Sequence, residues 1–212
     1  MPRAEREQQL IAIAEDIFAR NGYAGTTMEA IAEAAGITKP VIYDLFGSKD
    51  GLLAALVDKA RNELVDTLRQ AWRTADPAQG VRGVYRDGLI AFFRFMDAHA
   101  TAWRATVEDH ALATTPGAMN SLRAAQTQIV VDGLRTQPQL ASVPDFVLEG
   151  FAEGVIGACE RIAAWRITRP ECTAEVATEL VMALTWTGLE RVAGSTLHTA
   201  GSEAKPPLRT AG

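Results

Sequence analysis

Apolar residues recur at helical spacing along nearly all of this 212-residue chain, and no run alternates apolar with polar residues well enough to predict a strand. The first stripe, Leu10, Ala14, Ile17 and Phe18, predicts a helix over Arg3–Arg20. Asn21-Gly22 should stop it, because both residues tolerate the left-handed conformation of a helix end. Met28, Ile31, Ala32 and Ala35 form the next stripe. Thr26 with Glu29 three residues later has capping-box spacing, and Gly36 permits a sharp turn. A short helix then starts from an N-cap at Thr38, with Pro40 in its first turn, where a missing N–H has no helical partner to lose. Ser48 caps a longer helix that runs through Leu52, Leu53, Leu56, Val57 and Leu64 to about Trp72, with Asp50 on the favourable side of its dipole.

Beyond the stretch TADPAQG, helices are predicted near Ala78–His99, Thr101–Ala113, Ala118–Thr136, Pro144–Thr168 and Thr173–Ala193. The segment from Thr199, TAGSEAKPPLRTAG, is small, polar and proline-containing, and is expected to be disordered. The fold class is therefore all-α, with about nine helices, three short ones first. The expected division is a helix-turn-helix domain over 1–47, a helical domain over 48–198 and a tail over 199–212.

Composition adds little constraint. Hydrophobic residues at 48% and charged residues at 22% are ordinary for a globular chain with a real core. Cys159 and Cys172 have no metal spacing and predict a reducing, cytoplasmic setting without a disulfide framework. MPRAEREQQL is charged where an export signal needs an apolar core, and Glu149, Glu153 and Glu160 interrupt the most apolar stretch, so no membrane span is expected. HExxH, phosphate-loop and GxSxG motifs are absent, and Glu108, Asp109 and His110 point in different directions on a helix. No catalytic site, metal or cofactor is expected, which leaves an enzyme as the rival class. Charge argues weakly against nucleic acid: the net charge is −5, and in residues 1–50 eight acidic side chains against five basic leave −3. Phosphate binding, however, depends on where the positive charge sits.

Two short helices joined through AAGIT have the dimensions of a helix-turn-helix, whose second helix enters a major groove, although a packed αα-corner has the same outline. Gly22, Tyr23, Thr26, Thr27, Ile31, Ala32, Ala35, Gly36, Ile37, Thr38, Tyr43, Phe46, Lys49 and Leu52–Leu53 carry more information. At these spacings, Gly22–Leu53 resembles the DNA-binding domain of TetR-family (tetracycline-repressor-like) transcriptional regulators. The resemblance is detailed over about the first 55 residues; farther on, only length and the all-helical plan match.

On the helix wheel Ile37, Ile42 and Phe46 turn inward onto Phe18 and Ile31, while Thr38, Lys39, Pro40, Val41 and Asp44 turn outward toward base edges and phosphates. The Val41 methyls suit a thymine methyl, and Thr27 can clamp a phosphate beside helix N-terminal amides. The resemblance implies backbone contacts from the Tyr43 hydroxyl and the Lys49 charge. Asp44 is awkward, since a carboxylate accepts from a cytosine amino group but is repelled by phosphate, and the favoured reading is a solvent-facing residue at the helix end that touches nothing. Leu45 stands where the family usually has an aromatic or histidine, which puts one backbone contact in doubt. Arg3 and Arg6 read as a solvated N-terminus.

By the same resemblance, the remaining helices form a ligand-binding and dimerisation domain. Phe92, Phe93, Met96, Trp103, Val107 and Met119, with Arg104 as an orienting group, are the candidate pocket, although an aromatic stripe at this spacing also reads as plain core. Gly150, Gly154 and Gly157 let another helix approach closely. Phe151, Val155 and Ile162, with Leu180, Leu184 and Gly188 of the last helix, are the candidate four-helix interface of a C2 homodimer; packing within one subunit is the alternative. The expectation is a regulator, a repressor, that binds a palindromic operator in double-stranded DNA as a homodimer and is released by a small apolar effector. A helical enzyme and an effector-independent DNA-binding protein are the alternatives.

Overall fold

The structure is a computed structural model that describes residues 2–101 and 116–194, with the backbone alone at 77, 116–122 and 192–194. The described residues form eight α-helices and no strand: α1 (Arg3–Gly25), α2 (Met28–Ala34), α3 (Lys39–Phe46), α4 (Lys49–Thr74), α5 (Gly80–Ala98), α6 (Pro116–Arg135), α7 (Asp145–Arg166) and α8 (Ala174–Gly194). This is the all-α plan that the periodicity predicts. The helix expected near Thr101–Ala113 and the segment from Thr199 lie outside the described residues. Short 3₁₀ turns at Pro77–Gln79 and Pro138–Leu140, each opened by proline, were not anticipated.

Two local details differ from expectation. Gly22 does not end α1 but kinks it, at φ 69°, and helical hydrogen bonding resumes to Gly25. Thr26 is not the cap of α2: it is 1% exposed, and its hydroxyl donates to the Gly22 carbonyl at 2.8 Å. Its side chain is thus committed to the kink, and the next residue, Thr27, accepts from the Ala30 amide at 3.2 Å instead. Ser48 caps α4 as expected, accepting from the Gly51 amide at 3.0 Å.

The helices build two hydrophobic cores. The first gathers Ile17 and Phe18 of α1, Met28 and Ile31 of α2, Ile42 of α3, and Leu52, Leu56 and Val57 of α4. The second gathers Leu64 and Leu68 of α4, Phe92 and Phe93 of α5, Leu134 of α6, Leu148 of α7 and Val181 of α8. Helix α4 crosses from one to the other with its apolar stripe unbroken, so its first half belongs to the first core and its second half to the larger one. A second link is His99 at the end of α5, stacked on Phe95 at 4.1 Å between Glu15 of α1 (3.6 Å) and Glu63 of α4 (3.8 Å).

Within the larger unit, Arg166 grips both carboxylate oxygens of Asp97, at 2.8 and 3.1 Å, and donates to the Cys172 carbonyl at 2.8 Å. These bonds fasten the end of α5 to the turn between α7 and α8. Cys159 and Cys172 are free and buried. No helix of the described residues is long and apolar enough to cross a membrane.

Phe93 is 0% exposed and packs edge-on against Phe92 with centroids 5.2 Å apart. Phe93→Ala is expected to lower unfolding stability by about 3–5 kcal/mol, through lost burial and the cavity left behind. Urea unfolding followed by circular dichroism would read this as a lower midpoint at unchanged slope.

Candidate functional site

The turn between α2 and α3 depends on Gly36, at φ 63°, a conformation that costs other residues energy through their Cβ. The Ile37 amide then donates back to the Ala32 carbonyl at 3.0 Å, closing the corner. Ile42 is fully buried, and Ile37 and Phe46 pack against the first core, so α3 is held by one face. The opposite face carries Thr38, Lys39, Pro40, Val41, Tyr43 and Asp44, all exposed, with Val41 at 40% and Tyr43 at 44%. Pro40 sits in the first turn as expected. Thr38 occupies the N-cap position yet makes no side-chain cap bond, which leaves its hydroxyl uncommitted to the helix. Thr27 has spent an acceptor lone pair on the Ala30 amide, and its O–H can still donate.

The charges on this face are already paired. Lys39 is ion-paired with Glu29, whose carboxyl is held below its usual range chiefly by that Lys39 contact. Asp44 lies 3.5 Å from Arg3, which also binds Glu7 at 3.0 Å. The carboxylate expected to touch nothing therefore has a counter-charge, and Arg3, still largely exposed, reaches from α1 to α3. Both pairs are exposed and worth little, so a phosphate can compete for either cation.

Lys49, an expected phosphate contact, is partly engaged within the fold. Its ammonium donates to the carbonyls of Tyr23 (2.9 Å) and Thr26 (3.0 Å) and stands 4.1 Å from the centre of the Tyr23 ring. Two of its three N–H donors close the end of α1, and one is left for a phosphate. The Tyr23 hydroxyl donates to Asp50, so both ends of this tyrosine tie α1 to the start of α4. Sequence spacing does not predict this lock, because its partners are 26 and 27 residues apart.

The larger core contains a partly open cavity of about 40 Å³, lined among others by Leu68 and Trp72 of α4, Tyr85 and Phe92 of α5, Gln126 and Val130 of α6, and Cys159 of α7. Of the expected pocket residues whose side chains are described, Phe92 lines it. Phe93 is sealed in the core, and Met96 lies toward Asp97 and Arg166. Trp103, Arg104 and Val107 lie outside the described residues, as does the Met119 side chain. Gln126, missed by sequence reasoning, is 3% exposed, and its Oε1 has no hydrogen-bond partner among the described residues. Leaving such an oxygen unpaired costs about 1–3 kcal/mol. Tyr85 donates to or accepts from Thr185 at 2.8 Å, and burial raises its phenol well above its usual range. Burial likewise pushes the Cys159 thiol up to about 12, so it is neutral and unreactive.

The expected dimer residues divide into two groups. Val155 is 4% exposed and faces the subunit's own cavity, because it shares the inward phase of Leu148, Ala152 and Cys159. Phe151 and Ile162 pack partly against the same core. Leu180 (42%) and Leu184 (71%) are exposed, and Gly188 faces open space. Phe146 and Trp165 of α7 are exposed as well, and open space lies over Gly150, Gly154 and Gly157.

Comparison with known proteins points to one group. The sequence signature described as "Bacterial regulatory proteins, tetR family" matches residues 10–56. Over 110 residues, 51% of this chain, the sequence is 36% identical to the HTH-type transcriptional activator FasR of Mycolicibacterium smegmatis, covering 48% of that protein. The chain spans about half the length of the curated relatives it matches. Among solved structures, a TetR-like transcriptional regulator from Rhodococcus sp. RHA1 is 31% identical with a TM-score of 0.61, covering 90% of this chain and 98% of that one. A tetR-family transcriptional regulator from Streptomyces coelicolor is 26% identical with a TM-score of 0.67, covering 92% and 87%.

Lys49→Met keeps the packed stem and deletes the ammonium bonds to the Tyr23 and Thr26 carbonyls, leaving Tyr23 with the Thr26 amide alone. It is expected to cost about 1–2 kcal/mol of stability, measured by urea unfolding. An unchanged midpoint would mean that solvent serves those carbonyls equally well.

Proposed function

The chain belongs to the TetR family of bacterial regulatory proteins, and from that membership we propose that it is a ligand-responsive, DNA-binding transcriptional regulator. It acts as a homodimer in the cytoplasm and places α3 of each subunit in a major groove of a near-palindromic operator. The observation that carries this reading is the outward face of α3, where Thr38, Lys39, Pro40, Val41 and Tyr43 are exposed on a helix anchored from behind by Ile42. Thr38 and Val41 meet base edges, and Lys39, Tyr43, Thr27 and the remaining Lys49 donor meet phosphates. The net negative charge is compatible with this, because Lys39 lies on this face and Arg3 beside it.

Bound in this way, the protein blocks transcription, and a small, largely apolar effector releases it. The relative called an activator makes the sign of regulation the first quantity for a promoter-reporter assay to read. Release works through α4, whose two halves belong to different cores. Successive major grooves set the heads about 34–36 Å apart, so a small rotation of α4 breaks simultaneous engagement.

Footprinting on DNA flanking the protein's own coding region is expected to reveal a symmetric pair of protected half-sites. Lys39→Ala should reduce the slope of log affinity against log salt by about one unit, while Tyr43→Phe should weaken binding with the slope unchanged. Absence of any sequence-preferred site would overturn the reading.

The exposed apolar face of α7 and α8 supports the dimer, since large residues such as Leu184 and Phe146 are costly to leave in water. Leu184→Glu is expected to convert the particle from two chains to one in light scattering. A wild-type monomer at micromolar concentration would contradict the assignment.

A further inference from the structure

We propose that the cavity in the larger core is the effector site in its closed form, that it selects a neutral, largely apolar molecule carrying one hydroxyl or N–H donor, and that Trp72 is its gate. This rests on the ligand-responsive reading above and specifies the chemistry of the ligand.

The lining defines what can bind. Leu68, Phe92 and Val130 supply apolar walls. The Tyr85 hydroxyl is engaged by Thr185, and the Cys159 thiol is a weak donor held neutral by burial. Among the described residues, the one buried side-chain polar atom left unpartnered is Gln126 Oε1, an acceptor. Its complement is a donor. An ether oxygen leaves Gln126 Oε1 without a donor, and a carboxylate would also bring an unpaired charge into an apolar space.

The size of the cavity requires a gate. About 40 Å³ accommodates a few waters, whereas sites for organic ligands span about 300–1,000 Å³. An open groove of about 510 Å³ lies alongside, bordered by Arg69, Arg73, Ile129, Asp132 and Thr136. Trp72 is the residue common to both linings, so its indole is the wall between them. That indole rests on two glycines. A Cβ on Gly88 would stand 3.4 Å from the ring, and one on Gly133 would fall inside the ring's van der Waals envelope. Turning the indole aside joins cavity and groove into one space of ligand size. Trp72 lies in the last turns of α4, so the movement that admits the ligand is applied directly to the helix that begins behind the reading head.

The probes are 1-octanol, its isomer 1-methoxyheptane and octanoate, each titrated by calorimetry into the full-length wild-type protein and Gln126→Leu. The alcohol and the ether match in size and in carbon count, and only the alcohol donates. Wild type is expected to bind 1-octanol about fivefold to tenfold more tightly than the ether, as for one hydrogen bond, and octanoate more weakly still. In Gln126→Leu the alcohol and the ether should bind alike. Gln126→Met serves the same purpose if the leucine variant fails to fold, as judged by circular dichroism. Trp72 is one of four tryptophans, so the octanol-induced change in emission should appear in wild type and vanish in Trp72→Phe. Equal binding of alcohol and ether to wild type, survival of the preference without Gln126, or no binding at all would overturn the proposal. Persistence of the emission change in Trp72→Phe would overturn the gate. The wild-type footprint separates the two readings: a protected operator with no alcohol preference removes only the cavity assignment. An alcohol preference without any operator removes only the regulator.

Discussion

Helix α4 is shared by two hydrophobic cores that have no other continuous apolar element in common among the described residues. Leu52, Leu56 and Val57 hold its first half against α1, α2 and α3, and Leu64 and Leu68 hold its second half against α5 and α6. Burial at both ends makes it costly for α4 to detach from either unit. A displacement imposed on one half is therefore carried to the other as a rigid-body motion. The remaining features can be understood as attachments to this beam. Ser48 caps its start, Lys49 and Asp50 bind the end of α1, and Trp72 closes the cavity near its end.

The polar contacts divide by strength along the same line. Around Tyr23, the bonds from Lys49 are partly buried and fix how α1 meets α4. On the α3 face, Lys39–Glu29 and Arg3–Asp44 are exposed pairs that water and salt already weaken. The partly buried contacts fix how α1 meets α4, and the exposed pairs can exchange with other ions. Such a division lets a head with a local excess of acidic residues still present usable positive charge.

The interior shows the opposite economy of polar groups. Tyr85, Thr185 and Thr178 satisfy one another or the backbone within the larger core, while the Gln126 oxygen does not. A buried amide left unpaired weakens the fold, and a cavity beside it forfeits packing contacts. Both defects lie at one place, next to an indole seated on Gly133, where a more stable sequence would put an apolar side chain at 126.

Local chemistry was legible in the sequence wherever a property lies within one helix or one turn. Helical periodicity, the Ser48 cap, the Gly36 corner, the first-turn place of Pro40 and the inward set of Ile37, Ile42 and Phe46 all follow from neighbours a few residues apart. What failed depended on distant partners. Thr26 lost its cap role to a hydrogen bond with the kink at Gly22. The bonds from Lys49 to Tyr23 and Thr26 were likewise not foreseen. Val155 faced inward because of the packing of α7, which spacing alone leaves open by a fraction of a turn. The cavity was hidden for the same reason: Trp72, Tyr85, Gln126 and Cys159 come from four helices and share no local pattern. Helix formation is decided by residues three and four apart, so a single sequence determines it. Which faces meet, and which polar atom is left without a partner, is decided by packing across the chain, and only the tertiary structure contains that information.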